Sequence, residues 1–331
     1  MSALLQVSNL SLTLPMADGR RLPVLADIGF SLGRGERLGI VGESGSGKTM
    51  LALALIGLEP EMAGLSGSIR FDDRELLGLP EYKRARLRGR RIAMIFQEPM
   101  SALNPAMPIV AQIAEGPLRI GLWRRSEARA RAIALLERVR LPDAARRADA
   151  YAHQLSGGQR QRVMIAMALA QSPDLLIADE PTTALDATLR DDMLDLVAGL
   201  VEEEGMSLLL VSHDLRAVAR ASDRVLVLYA GTRFEDGPTA DVLGAPLNPY
   251  TRALIAALPR RPDVVGGHGP RPRLAAIDGQ IPALGDLPTG CRFADRCACR
   301  IEACTPREPD WRELAGRGVR CIRAVPAGTS A

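Results

Sequence analysis

Hydrophobic and polar positions divide the chain into stretches of different periodicity. From residue 1 to about residue 258, short apolar runs alternate with helical patterns, the order expected of an α/β domain built on a largely parallel sheet. Four runs, Arg37 to Val41, Ile92 to Phe96, Leu175 to Ala178 and Ser207 to Val211, are nearly continuous in apolar residues, as strands covered on both faces must be. Each ends at polar residues, where such folds bind ligands. Leu189, Met193, Leu196, Val197 and Leu200 recur at helical spacing before Gly205, which predicts a helix covering the sheet. Between Pro99 and Ala152 the strand pattern gives way to Arg, Ala, Leu and Glu in helical spacing, with breaks at Pro117, Gly121 and Pro142. With the helix that follows, this predicts an inserted helical subdomain over about 99–170. Past Leu258 the composition turns to Pro, Gly and Arg as far as Arg273, which reads as a linker opening a small C-terminal module, 259–331.

Composition narrows the class. Aromatic residues make up 3% of the 331 positions, so aliphatic side chains must build the core. A net charge of +3 is too small for the basic face that tracks phosphate backbones, and no nucleic-acid partner is expected. The best apolar stretch, Met50 to Leu58, stops at Glu59-Pro60, well short of the roughly 18 residues a membrane span needs. Met1 to Leu14 lacks the basic start and small-residue cleavage site of a secretion signal, so a cytoplasmic location is expected. All five cysteines fall between Cys291 and Cys321.

The strongest local signal is Gly42-Glu43-Ser44-Gly45-Ser46-Gly47-Lys48-Thr49, which fits G-x-x-x-x-G-K-[ST] between the strand Arg37 to Val41 and a helix predicted over Lys48 to Leu58. Glycines let backbone N–H groups close around phosphates, the helix N-terminus favours an anion, Lys48 reaches the β- and γ-phosphates and Thr49 can ligate Mg²⁺. ATP and Mg²⁺ are the expected ligands. Leu175 to Ala178 runs into Asp179 and Glu180, a strand ending in two carboxylates. One can hold Mg²⁺ and the other can orient or deprotonate water, roles that fall to Asp179 and Glu180 respectively.

Leu155-Ser156-Gly157-Gly158-Gln159 opens a helix predicted over Arg160 to Ala170, with Ser156 placed as its N-cap. This string resembles the signature motif of ABC ATPases, and the other elements of that family follow in order: Gln97 in the place of the Q-loop, Ala184-Leu185-Asp186 of the D-loop, His213 of the switch histidine. The resemblance covers residue 1 to about Pro259 and implies an ABC-type P-loop fold with an inserted helical subdomain. It further implies that Gln97 touches Mg²⁺ and the transmembrane partner, that His213 contacts the γ-phosphate and that Asp186 crosses a dimer interface. In this family two cassettes pack head to tail, so that Ser156, Gly157, Gly158 and Gln159 would serve the partner's ATP. The neighbourhood Ser11-Leu12-Thr13-Leu14-Pro15 departs from the pattern, lacking the aromatic that stacks on adenine in many members; either Leu14 meets the base by apolar contact alone or this chain binds nucleotide more weakly than its partner.

Ile95 to Pro105, with Gln97-Glu98-Pro99-Met100-Ser101-Ala102-Leu103-Asn104-Pro105, resembles the corresponding segment of dipeptide and oligopeptide permease ATPases. So does Asn248-Pro249-Tyr250-Thr251-Arg252-Ala253-Leu254, where those proteins commonly show His-Pro-Tyr. The C-terminal module continues the likeness through Cys291, Cys297, Cys304 and Cys321, spaced C-x5-C-x6-C-x16-C, with Cys299 extra. In a reducing compartment these thiols suit a metal better than disulfides, and a [4Fe-4S] cluster, Zn²⁺ and unligated thiols all stand open. The resemblance implies the ATP-hydrolysing subunit of an importer of dipeptides or oligopeptides at the cytoplasmic face of a bacterial inner membrane. Its partners would be a second ABC ATPase in a heterodimer, two transmembrane permease subunits and an extracytoplasmic solute-binding protein. Nickel or another small solute as cargo, a soluble ABC machine acting on nucleic acid, and a metal-sensing regulator are the alternatives.

Overall fold

The computed structural model describes residues 3–98, 102–182, 187–258 and 277–324. Two sheets organise it. Strands β1 (Leu5–Pro15), β2 (Arg21–Leu32), β4 (Gly64–Phe71) and β5 (Arg74–Glu75) form an antiparallel sheet in the order β2-β1-β4-β5. The larger, eight-stranded sheet contains β3 (Arg37–Val41), β6 (Ile92–Ile95), β7 (Leu175–Asp179), β8 (Ser207–Ser212), β9 (Arg224–Tyr229), β10 (Thr232–Pro238), β11 (Arg312–Leu314) and β12 (Arg317–Val319). Its order is β11-β12-β10-β9-β3-β8-β7-β6. The five strands from β9 to β6 are parallel.

The four apolar runs are the parallel core strands, at the predicted positions to within one residue at each end. Alternation of two sorts their side chains onto opposite faces. Leu209 and Val211 of β8, with Leu175 and Ile177 of β7, join the core shared with the antiparallel sheet. Leu208, Leu210, Leu176 and Ala178 point to the core beneath the helices. The antiparallel sheet is not foreseen by the apolar runs because it buries one face only: β1 alternates buried Leu5 and Val7 with exposed Gln6 and Ser8.

The predicted helical subdomain is present among the described residues as helices Ile109–Arg119, Arg125–Arg138, Ala144–Arg147 and Gly157–Leu169. The covering helix spans Ala187–Glu203. The C-terminal segment adds two strands to the eight-stranded sheet. Its strand β12 pairs with β10, setting Glu235 opposite Val319 and Asp236 opposite Gly318, while β11 forms the edge. No helix among the described residues is long and apolar enough to cross a membrane.

Candidate active site

The phosphate loop lies between β3 and helix Lys48–Ile56, at the C-terminal ends of the parallel strands, as the topology requires. Two glycines are steric necessities. A Cβ on Gly42 would lie 2.2 Å from the Leu228 carbonyl oxygen, and Gly47 caps the helix with φ +95°, where a Cβ would meet Leu25 at 2.8 Å. Ser44 and Gly45 are exposed at the mouth, whereas Ser46 is buried. Lys48 is buried and folds back along the loop, its Nζ donating to the carbonyl oxygens of Gly42 at 2.8 Å and Glu43 at 2.9 Å. Burial lowers its pKa, against the pull of Glu180, Asp179 and Glu43. The loop thus presents a cation at its centre, with its own carbonyls as temporary acceptors.

The carboxylates converge on the same place. Thr49 donates its hydroxyl to Asp179 Oδ1 at 3.3 Å. Asp179 is 1% exposed, and burial pushes its pKa up to about 6 although the Thr49 hydrogen bond and Lys48 oppose the shift. A buried carboxylate with a hydroxyl beside it fits a divalent cation, because Asp179 and Glu180 together outnumber the single ammonium of Lys48. Glu180, next along, has φ +46°, an uncommon left-handed conformation for a non-glycine residue that turns its side chain out of the strand line. Its carboxylate is gripped on both oxygens: His213 Nδ1 lies 3.1 Å from Oε1 and the Gln97 amide donates to Oε2 at 3.2 Å. Gln97, His213 and Glu180 therefore form one hydrogen-bonded group at the ends of β6, β8 and β7.

The signature segment is placed differently. Ser156 caps helix Gly157–Leu169 by accepting from Gln159 N–H at 3.4 Å, and the Gln159 side chain returns the bond to Ser156 N–H at 3.0 Å. Ser156 and Gly157 are exposed, while Gly158 is buried so tightly that a Cβ would meet Leu189 at 2.7 Å. No hydrogen bond among the described residues joins this segment to the phosphate loop. Asp186 lies outside the described residues, as do Ala184 and Leu185 of its motif. Leu14 is half-buried against the core of the antiparallel sheet.

The carboxylate of Glu43, a residue of the phosphate loop, reaches the C-terminal segment, where Arg296 holds both oxygens. Tyr250 also touches the loop, its hydroxyl accepting from Glu43 N–H at 3.0 Å. Neither Arg296 nor Tyr250 was foreseen in this role, and no local spacing could have revealed it. Asn248, in place of the commoner histidine, is 2% exposed and caps helix Pro249–Ala256 while donating to the carbonyls of Phe234 and Arg320.

The cysteines correct an expectation. Cys291, Cys297, Cys299, Cys304 and Cys321 line one cavity with Phe234, Asn248 and Phe293, and all are unpaired thiols. Among the described residues, however, no three His, Cys, Asp or Glu side chains are gathered to hold a metal ion. The thiols share a cavity but form no such group, so the structure lends no support to the Zn²⁺ and iron–sulfur readings. Burial pushes the Cys291 thiol up to about 12 and raises Cys297 and Cys321 as well.

A phosphate loop, a buried Mg²⁺-type carboxylate and a braced glutamate at the ends of parallel strands define a nucleotide-hydrolysing cassette of the ABC type. Residues 25–183 match the family described as ABC transporter, and residues 234–304 match the oligopeptide/dipeptide transporter C-terminal region. The chain is 46% identical over 325 residues to a protein of Brucella abortus (strain 2308) named for peptide import ATP binding, covering 98% of this chain and 96% of that one. It is 42% identical over 323 residues to the oligopeptide transport ATP-binding protein OppD of Escherichia coli (strain K12), covering 98% and 94%. The dimeric ATP-binding cassette MJ0796, in a post-hydrolysis state with ADP and Pi, superposes with a TM-score of 0.63 at 29% identity, covering 71% of this chain and 98% of that one. The chain belongs to the ABC transporter ATPases that carry the oligopeptide/dipeptide C-terminal region.

Proposed function

We propose that this chain hydrolyses ATP to drive the import of dipeptides or oligopeptides, as a peripheral subunit at the inner face of a bacterial membrane. The observation that carries the hydrolytic part is Glu180 held between His213 and Gln97 beside the phosphate loop. In this reading the Lys48 ammonium leaves the loop carbonyls for the β- and γ-phosphates, and the loop N–H groups and Ser46 cradle them. Glu180 orients the attacking water and takes its proton, with His213 fixing the carboxylate and contacting the γ-phosphate. Thr49, Asp179 and Gln97 would hold Mg²⁺, which supplies charge neutralisation on the phosphate oxygens. Asp186, with Ser156 to Gln159, serves across a cassette dimer, which we take to be a heterodimer with a related ATPase.

Cargo and assembly are supported by the names of the relatives and by the C-terminal region they share. An apolar groove lined by Leu58, Met94, Phe96, Ala102 and Met167 opens beside Gln97, a suitable seat for a helix of the transmembrane permease subunits. An extracytoplasmic binding protein would complete the importer. The boundary between ATPase domain and C-terminal extension falls, in this reading, at 258/259. For the cysteines, an iron–sulfur cluster rests on the spacing C-x5-C-x6-C-x16-C alone. Iron and acid-labile sulfide in anaerobically prepared protein test that reading, and their absence retires it. The function as a whole is tested by uptake of labelled di- and oligopeptides, with nickel for comparison, in cells carrying wild-type chain or Lys48→Ala. Peptide uptake lost with Lys48→Ala is the expected result; uptake indifferent to Lys48 would discard the cargo assignment.

A further inference from the structure

Arg296 belongs to the C-terminal segment, 253 positions from the phosphate-loop residue it touches. Its guanidinium spends all five N–H groups. Nη1 donates to Glu43 Oε1 at 3.1 Å and to Tyr229 Oη at 3.2 Å; Nη2 donates to Glu43 Oε2 at 3.0 Å and to the Ile277 carbonyl at 3.3 Å; Nε donates to the Asp278 carbonyl at 2.8 Å. The side chain is 7% exposed, so this is a desolvated, two-pronged Arg–carboxylate pair and not a surface contact. Beneath it Tyr229, Phe234, Tyr250 and Phe293 pack ring to ring, with centroids 4.6 to 5.7 Å apart. Tyr250 accepts the Glu43 N–H from that cluster.

Glu43 is thereby fixed at its side chain and its backbone N–H, and its carbonyl is one of the two that Lys48 occupies. A loop that must present several N–H groups to phosphates at once gains from being held in that shape beforehand, since ordering it on binding would cost conformational entropy. The contacts that hold it come from outside the phosphate-loop motif. We propose that Arg296 is a positioning residue for nucleotide: through Glu43, and together with Tyr250, it keeps the phosphate loop in its phosphate-receiving shape. This rests on the ATP-binding reading above and adds to it that the C-terminal segment is part of the ATP site.

The test is equilibrium binding of Mg-ATP to the full-length chain, reading dissociation constant and stoichiometry separately, with the melting temperature taken without nucleotide. Arg296→Ala and Glu43→Gln should each weaken binding by about tenfold at full stoichiometry, and Arg296→Lys, which keeps the charge but loses the fork, by about threefold. The double variant Arg296→Ala/Glu43→Gln should bind no more weakly than the worse single one, because both remove the same contact. A merely structural role would lower the melting temperature and the stoichiometry while leaving the dissociation constant of the folded molecules alone. That result, or additive effects in the double variant, overturns the proposal. Should Arg296→Ala fail to fold, Glu43→Gln and Arg296→Lys decide it by the same criterion. A folded wild type that binds no ATP sinks the nucleotide reading and the brace with it, whereas wild-type binding with unchanged variants sinks the brace alone.

Discussion

The phosphate end of the site and the signature segment differ in how much of their environment one chain supplies. Lys48, Asp179 and Ser46 are buried, and Glu180 is held on both oxygens by residues just past the ends of two other strands. Ser156 and Gly157 sit exposed at a helix start whose capping box satisfies only its own backbone. The first region is finished within the chain, and the second is exposed. Under the proposed pairing of two cassettes, chemistry that draws on both regions runs only when the cassettes meet.

The contrast breaks most visibly at Glu180. Glu180→Gln keeps the hydrogen-bond geometry with His213 but removes the base, and turnover in the assembled transporter should fall by about a thousandfold while ATP still binds. Equal loss of binding and turnover would mean that Glu180 holds nucleotide and does not act on water. Ser156→Arg sharpens the other side: hydrolysis in the assembled pair should drop by about a hundredfold, with ATP affinity of the separate chain unchanged. Weakened binding to the separate chain would show that the segment serves its own nucleotide.

The smallest effect is in pH. Asp179 must be ionised to hold Mg²⁺, and burial sets its pKa at about 6. Mg²⁺-dependent nucleotide binding should therefore weaken as pH falls through that value, by about tenfold for each further unit, and Asp179→Asn should abolish the slope along with most of the Mg²⁺ affinity. The sign for stability is the reverse. A carboxyl whose folded pKa is raised binds its proton more tightly in the fold, so the nucleotide-free protein loses stability as pH rises from 3.8 through about 6. Thermal melts of Asp179→Asn without nucleotide should lack that loss.

Much of this site is legible in the sequence because its parts are local. Gly42 to Thr49 carries its own strand and helix, Asp179 and Glu180 end an apolar run, and His213 ends another, so each residue announces the strand end that presents it. The parallel core is legible for the same reason. The antiparallel sheet is hidden because one-sided burial leaves β1 and β2 mixed in polarity. The cysteine spacing leaves a metal site open, because spacing along the chain says nothing of where loops place thiols in space. Arg296 is hidden most deeply: an arginine among many, in a Cys-rich segment, with nothing nearby to tell it from a solvated one. The pairing of β12 with β10 and the packing of Phe293 on Tyr229 and Tyr250 help bring it to the loop.

The separation between Glu43 and Arg296 also sets an order of assembly during synthesis. The phosphate loop leaves the ribosome near the start of translation and its guanidinium partner near the end, with β12 emerging later still at the rim of the same sheet. A contact of such sequence distance forms late, because the intervening chain must be ordered before the two ends can meet. Nascent cassettes therefore carry a loop that has the right sequence but lacks its buried partner, and under the proposed role of Arg296 ATP stabilises them less than it does the finished chain. Premature termination anywhere before Arg296 removes the same support, and a truncated product retaining every ATPase motif would compete poorly for nucleotide with the complete subunit.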